Sequence, residues 1–279
     1  MLLENIRINS GEKANEEKLS RKLAALSDIF VMDAFASSHR AHASTQGVAK
    51  YSPVACAGPL LLKELRALDK VFSFPQRPVL AIVGGSKVST KLQILTCLSR
   101  RVDLIIVGGG IANTFLAASG KDIGNSLHEP GMIDIAREIL DCGRIVLPTD
   151  VVVSSEIDEA AEWSIKKVDK VSSGDHILDI GPLSISKNRK LIFDAKTIIW
   201  NGPLGVFEIP QFSAGTRELG KSIKESKAFS VAGGGDTISA IESSGVQDGI
   251  SYISTGGGAF LEFLEGKMLP GVTALIAHK

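Results

Sequence analysis

Four glycine turns constrain the fold of this chain more than any other feature. VGGSKVST (83–90), VGGGIANT (107–114), AGGGDTIS (232–239) and STGGGAFLE (254–262) each join an apolar run to a helix-like stretch. Glycine lacks the Cβ that would hold backbone N–H groups away from a ligand. A helix that starts after such a turn attracts an anion through its free N–H groups and its dipole. Strand-like and helix-like segments alternate almost throughout the chain. The predicted strands are LLENIRI (2–8), IFVMDAF (29–35), PVLAIVG (78–84), DLIIVGG (103–109), RIVLPTD (144–150), HILDIG (176–181), TIIWNG (197–202), AFSVAGG (228–234) and SYISTGG (251–257). Several are apolar at every position, as strands are when both faces of a parallel sheet are covered. The predicted helices include NEEKLSRKLAALS (15–27), AGPLLLKELRALDKVFS (57–73), GMIDIAREILDC (131–142) and FSAGTRELGKSIKES (212–226). The alternation predicts an α/β fold built on doubly wound parallel sheets. Ligands of such sheets bind at the carboxyl ends of the strands, which is where the glycine turns fall.

Composition narrows the partners. The 279 residues suffice for two domains, and 44% of them are hydrophobic. Lys plus Arg equals Asp plus Glu at 31 each, a neutrality that argues against nucleic acid or a membrane surface as partner. Cys56, Cys97 and Cys142 are far apart, a usage that suits a reducing cytoplasm and suggests neither a disulfide framework nor a zinc site. No apolar run is long enough to span a bilayer, and the first residues, with Glu4 and Arg7, do not form a signal peptide.

Four stretches carry candidate chemistry. In GGSKVSTK, Lys87 and Lys91 are four residues apart and on a helix would share one face. Two cations there, after Gly84 and Gly85, point to phosphate, although the spacing is neither a Walker A loop nor G-x-G-x-x-G. Asp236 after Gly233, Gly234 and Gly235 has two readings. It is good helix-start chemistry, and it is also a ligand for a Mg²⁺ that offsets its repulsion from phosphates. Thr237 is a first-turn residue or a phosphate donor. In WNGPLGVFE (200–208), Val206 and Phe207 could cover a base and Glu208 could accept from two ribose hydroxyls, or the stretch is an ordinary loop with two core residues. In DAFASSHRAHAS (33–44), Arg40 sits beside His39 and His42, and Arg7 closes LLENIR. Arginine forks suit carboxylates and phosphates, so an acidic small substrate is expected. The two histidines read as structural hydrogen-bonding residues, with no accompanying zinc pattern.

LLENIR, DAF…HRAH, GGSKVSTK, GGGIANTF, WNGPLGVFE, GGGDT and STGGGAFLEFLEGKMLPGV follow one another from residue 1 to the end. With these motifs in this order, the chain resembles phosphoglycerate kinase, close to the bacterial branch. The resemblance implies a hinge-bending, cytoplasmic, monomeric enzyme with a Rossmann-like domain in each of two lobes. It implies reversible phosphoryl transfer in glycolysis, between 1,3-bisphosphoglycerate and MgADP on one side and 3-phosphoglycerate and MgATP on the other. The lobes implied are a 3-phosphoglycerate lobe at 1–56, an interdomain helix at 57–73, a nucleotide lobe at 74–255 and a returning segment at 256–279.

Carried over by position, Arg7, His39 and Arg40 bind the acid substrate, and Lys87, Gly235 and Gly258 form the catalytic set. Lys91, Gly84, Gly85, Gly109, Gly181, Asn201, Pro203 and Val206 contact the nucleotide, and Glu208 its ribose. Gly234, Gly235, Asp236 and Thr237 form the phosphate turn, with Asp236 on the metal. The family's chains start upstream with an R-x-D-x-N-V-P type motif that is missing here. The expectation is therefore a fragment with an incomplete N-terminal lobe, and the alternative is a nucleotide-binding fragment without turnover.

Overall fold

A computed structural model describes residues 2–278. Met1 and Lys279, the outer ends of the segments expected at 1–56 and 256–279, lie outside the described residues. The chain begins with a 3-10 turn over Ile6–Ile8 and continues through α1 (Glu17–Ala24), β1 (Ile29–Met32), a π-helical stretch Ala43–Gly47, α2 (Val48–Tyr51), β2 (Val54–Ala57) and α3 (Pro59–Phe72). The middle of the chain forms β3 (Val79–Val83), α4 (Leu92–Arg101), β4 (Leu104–Val107), α5 (Gly109–Ala118), α6 (Ile133–Leu140), β5 (Ile145–Val146), β6 (Asp150–Ser154), β7 (Trp163–Lys167) and β8 (His176–Ile180). After these come α7 (Pro182–Asp194), β9 (Thr197–Asn201), α8 (Ala214–Glu225), β10 (Phe229–Ala232), α9 (Gly235–Ser244), β11 (Tyr252–Ile253), α10 (Gly257–Leu264) and α11 (Pro270–Ala277). Contacts divide the chain into two units. One takes the chain up to Asp69 and again from Ser254, and the other is Lys70–Ile253. No helix among the described residues is long and apolar enough to cross a membrane.

The larger unit is built on a six-stranded sheet in the order β11-β10-β9-β3-β4-β5, with every pairing parallel. Winding starts at β3, runs outward through β4 and β5, and then reverses from β9 through β10 to β11. The reversal puts a switch point between β3 and β9. Strands β3 and β9 are buried at every residue, which explains why β3 is apolar throughout and β9 is apolar from Ile198 to Trp200. Ile82, Ile198, Trp200, Leu219 and Ile223 belong to one core cluster. Burying each such side chain contributes about 1.5–3 kcal/mol.

A second sheet of this unit, in the order β7-β6-β8, is antiparallel with a bulge between Val152 and Val153. Parallel winding therefore does not extend to HILDIG, whose strand pairs antiparallel with β6. Strand β7 is mostly exposed, with Trp163 and Ile165 each half in solvent.

The smaller unit has β1 and β2 paired in parallel, together with α1, α2, α10 and α11. One face of this two-stranded sheet carries Ile29, Val31 and Val54, all exposed. LLENIRI is not a strand. Asn5 adopts a left-handed conformation (φ 51°) and Ile6–Ile8 coil into a 3-10 turn, leaving Leu2, Leu3 and Ile8 exposed. No described strand pairs with the segment, so its extended form has no ladder to join.

Buried carboxylates fasten two strands of the antiparallel sheet, β6 and β8, to helix starts. Asp150 accepts from the backbone N–H of Leu183 (2.9 Å) and Ser184 (2.7 Å) and from Ser184 Oγ (2.6 Å), and so holds the first turn of α7. Asp179 accepts from Gly215 N at the start of α8 (2.7 Å) and from Ile180 N (2.9 Å). Burial pushes the Asp179 carboxyl up to about 7, against those two hydrogen bonds and the Arg217 charge. An unfolded chain releases this proton near 3.8, so the folded state binds more protons between 3.8 and about 7. Its contribution to stability therefore falls as pH rises through that window. Urea midpoints of the wild type measured against Asp179→Asn should show this fall in the wild type alone. A wild-type midpoint that climbs relative to the variant would mean that the hydrogen bonds outweigh burial.

Candidate nucleotide and acid-substrate sites

The switch point is held together by a lysine. Lys91 caps α4 and turns inward, donating from Nζ to Gly84 O (2.6 Å) and Asn201 O (3.1 Å), one carbonyl from each side of the reversal. Burial lowers its pKa to about 8, opposed by the nearby Asp236 carboxylate. Lys87 does not share a helix face with it. Residues 86–91 form a turn before α4, and Lys87 is exposed on that turn. The turn is pinned by Glu129, which accepts from Ser89 N (2.8 Å) and Ser89 Oγ (2.5 Å).

Close backbone approach explains the glycines. A Cβ on Gly84 would overlap Pro203 O, and one on Gly110 would overlap Ser86 O. Gly109 N donates to Leu204 O (2.9 Å) and Ile111 N to Gly85 O (3.1 Å), so the turns after β3 and β4 and the stretch following β9 pack as one rim. Gly234, at φ 103°, takes a conformation open to glycine and lets α9 begin at Gly235. A Cβ on Gly235 would meet nothing within 4 Å, so its backbone faces open space. The first bond of α9 is Ile238 N to Gly234 O, which leaves the N–H groups of Gly235, Asp236 and Thr237 ahead of it.

Thr237 is buried, and its Oγ1 is already engaged, accepting from Gly202 N (2.8 Å) and donating to Gly233 O (2.9 Å). This fixes its side chain as a brace between two turns rather than a free phosphate donor. Asn201 Nδ2 donates to Gly233 O (2.7 Å), while its buried Oδ1 has no partner.

These turns border a cleft of about 260 Å³. Gly85, Gly109, Pro203, Val206, Glu208 and Asp236 line it, so the structure gathers these expected residues in one place. Phe207 joins them, as do Asn113 and Leu127 of the β4 side and Ile157, His176, Ile177 and Leu178 of the antiparallel sheet and its connection. The latter were not anticipated, because nothing in HILDIG signals that β8 leaves the main sheet and forms a wall. Gly181 is not on the cleft. It caps α7, and a Cβ there would overlap the Asp150 carboxylate. Its glycine is required by Asp150, and the cleft contacts at that strand fall to Ile177 and Leu178 instead.

A metal site of the chain's own making does not occur, since no group of three His, Cys, Asp or Glu could hold an ion among the described residues. The exposed Asp236 carboxylate at the cleft fits an ion that arrives with a phosphate ligand. Magnesium commonly takes one or two protein carboxylates and completes its shell with phosphate oxygens and water.

The smaller unit holds the remaining candidates. His39 and Arg40 are half-buried after β1. A Cβ on Gly258, in the first turn of α10, would lie 3.0 Å from His39 Nε2, so imidazole and glycine backbone are packed together. Burial lowers the His39 pKa, with Arg40 and His42 adding to the effect and Glu262 and the Ala36 backbone opposing it. His42 Nδ1 lies 3.7 Å from Glu12 Oε1, and the buried Glu12 also accepts from Ser44 N and Ser44 Oγ, a structural arrangement. Arg7 is exposed on the 3-10 turn.

Comparison with known proteins follows the same lines. The family model for phosphoglycerate kinase matches residues 1–267. Phosphoglycerate kinase from Coxiella burnetii is 50% identical with a TM-score of 0.96, the match covering 99% of this chain and 72% of that one. Phosphoglycerate kinase from Pyrococcus horikoshii OT3 is 35% identical with a TM-score of 0.83, covering 98% of this chain and 71% of that one. The chain belongs to the phosphoglycerate kinase family, and its activity class is that of a phosphotransferase kinase.

Proposed function

We propose that the cleft at the β3/β9 switch point binds MgADP or MgATP and that the His39–Arg40 region binds the glycerate substrate. The observation that carries the reading is the convergence of Asp236, Glu208 and the glycine rim on one cleft at the carboxyl edge of a doubly wound sheet. Phosphates would rest on the free N–H groups of Gly235, Asp236 and Thr237. The base would lie against Val206, Phe207 and the β8 wall, with Glu208 accepting from the ribose. Asp236 would hold magnesium, which when bound supplies charge neutralisation between carboxylate and phosphates. Arg40 and Arg7 offer charged forks for an acid and a phosphate. His39, kept neutral by burial, serves as a hydrogen-bonding group there.

The reaction asks little covalent work of the protein. An acyl phosphate leaves a carboxylate behind, and the attacking ADP oxygen is already ionised, so no general base is needed. Catalysis is then alignment and stabilisation of charge on the transferring group. Lys87, exposed on its glycine turn and free of the inward contacts that hold Lys91, is the cation for that task. Lys91 acts from behind the rim, keeping the Gly84 and Asn201 carbonyls in register. The free cysteines Cys56 and Cys142, both exposed, suit the reducing cytoplasm where glycolysis runs.

Calorimetry on Asp236→Ala tests the metal role. Magnesium should no longer improve ADP binding to this variant, and full magnesium dependence would refute the assignment. Glu208→Gln should weaken ADP by about tenfold while hardly changing tripolyphosphate affinity, a loss of the size expected for charge-assisted hydrogen bonds. Equal losses for both ligands would remove Glu208 from ribose recognition. In a coupled assay, Lys87→Ala should lower turnover by about a hundredfold or more with ADP binding largely intact, a loss typical of removing one transition-state charge partner. Unchanged turnover would exclude Lys87 from the chemistry.

A further inference from the structure

The loop that carries Val206, Phe207 and Glu208 is fastened from behind, where it meets β8 and α8. Three contacts join it to β8 and α8. Leu204 N donates to the buried Thr216 Oγ1 (3.0 Å). Val206 N donates to Leu178 O of β8 (2.8 Å). Between them, Gly205 packs so closely on Asp179 that a Cβ there would overlap the carboxylate.

Asp179 is only 2% exposed and does not line the cleft. Each of its oxygens accepts one backbone N–H, Oδ1 from Ile180 and Oδ2 from Gly215. The second bond ties β8 to the first turn of α8, the same turn that supplies Thr216. The one charged side chain that acts on Asp179 from α8 is Arg217.

We infer that Asp179 is a positioning residue for nucleotide recognition, its buried carboxylate setting the height of the Gly205–Glu208 loop over the cleft. The inference rests on the nucleotide reading of that cleft. The chemistry favours a carboxylate over its amide. In the ionised form both oxygens accept, as the two hydrogen bonds require, whereas an asparagine would present one N–H₂ to a backbone N–H. One of the two bonds is then lost without any change of size, and the start of α8 or the seat of Gly205 must shift. Phosphate contacts at Gly235–Thr237 belong to a different turn and are left in place.

The test compares the wild type, Asp179→Asn and Gly205→Ala as full chains, titrated with MgADP and separately with tripolyphosphate. Asp179→Asn should lose about tenfold in ADP affinity, the scale of one buried hydrogen bond left unmade. Its tripolyphosphate affinity should stay within about twofold, as for a substitution remote from the phosphate turn. In the coupled assay the KM for the nucleotide should rise, while the KM for the acid substrate should stay constant. Gly205→Ala, which forces a methyl group onto the Asp179 carboxylate, should give the same split and carries the test if the asparagine variant does not fold. Asp179→Asn and Gly205→Ala together should cost less than the sum of the two singly, since they disturb one contact. Equal weakening of ADP and tripolyphosphate, or lower stability with unchanged ADP affinity, would overturn the positioning role. A wild-type chain that binds tripolyphosphate but not ADP would instead refute the nucleotide reading, and this inference with it.

Discussion

An ammonium pointing into the protein rather than into water sets the geometry on which the larger unit depends. Lys91 bridges carbonyls of Gly84 and Asn201, which belong to strands wound in opposite directions from the centre of the sheet. At a switch point the crossovers diverge and leave a crevice, and backbone carbonyls on its two sides would otherwise lack a common donor. A single buried cation supplies one. Burial makes the charge costly, which is why its pKa falls to about 8, and the Asp236 carboxylate recovers part of that cost. The arrangement explains why a glycine turn, a lysine and an aspartate far apart in sequence behave as one structural element.

Around that element, the rim is built almost without side chains. Gly84 fits beneath Pro203, and Gly110 against Ser86, because neither has a Cβ. Side chains therefore reach the cleft from its periphery: from the loop of Val206, Phe207 and Glu208, from the β8 wall, and from Asp236 at the head of α9. Buried polar groups behind them, Thr237, Thr216 and Asp179, accept from backbone N–H groups of Gly202, Leu204 and Gly215 and brace the turns that carry these side chains or flank them. Loops that carry function commonly need this kind of support from rigid elements.

Much of this was legible in the sequence, and the exceptions have physical causes. The central strands β3, β4, β9 and β10 announce themselves because both faces are covered, so apolar residues fill most of their positions. The glycine turns at their ends are equally visible, and the residues brought to the cleft come largely from them. Strand β7, WSIKK, was invisible because it lies exposed and its composition is that of a loop. LLENIRI misled because an apolar run carries no information about whether a partner strand exists, and Asn5 in a left-handed conformation ends it. Lys87 and Lys91 misled because four-residue spacing implies a shared face only inside a helix, and the helix starts after both. Gly181 misled because a glycine beside a strand end can serve a buried carboxylate as readily as a ligand. The hydroxyl of Thr237 could not be assigned until its two partners were known.

Trp200 gives the larger unit an optical signature. Its ring is 1% exposed in the core under the rim, and its Nε1 donates to Gly202 O in the turn that Thr237 also braces. The other tryptophan, Trp163, is half exposed on β7. An indole in an apolar, water-free setting emits toward the blue, and one in water toward the red, so the two residues report separately in a single spectrum. A change in the packing of the turn after β9 would move the blue component alone, making the intrinsic fluorescence of this chain a gauge of its rim that needs no label.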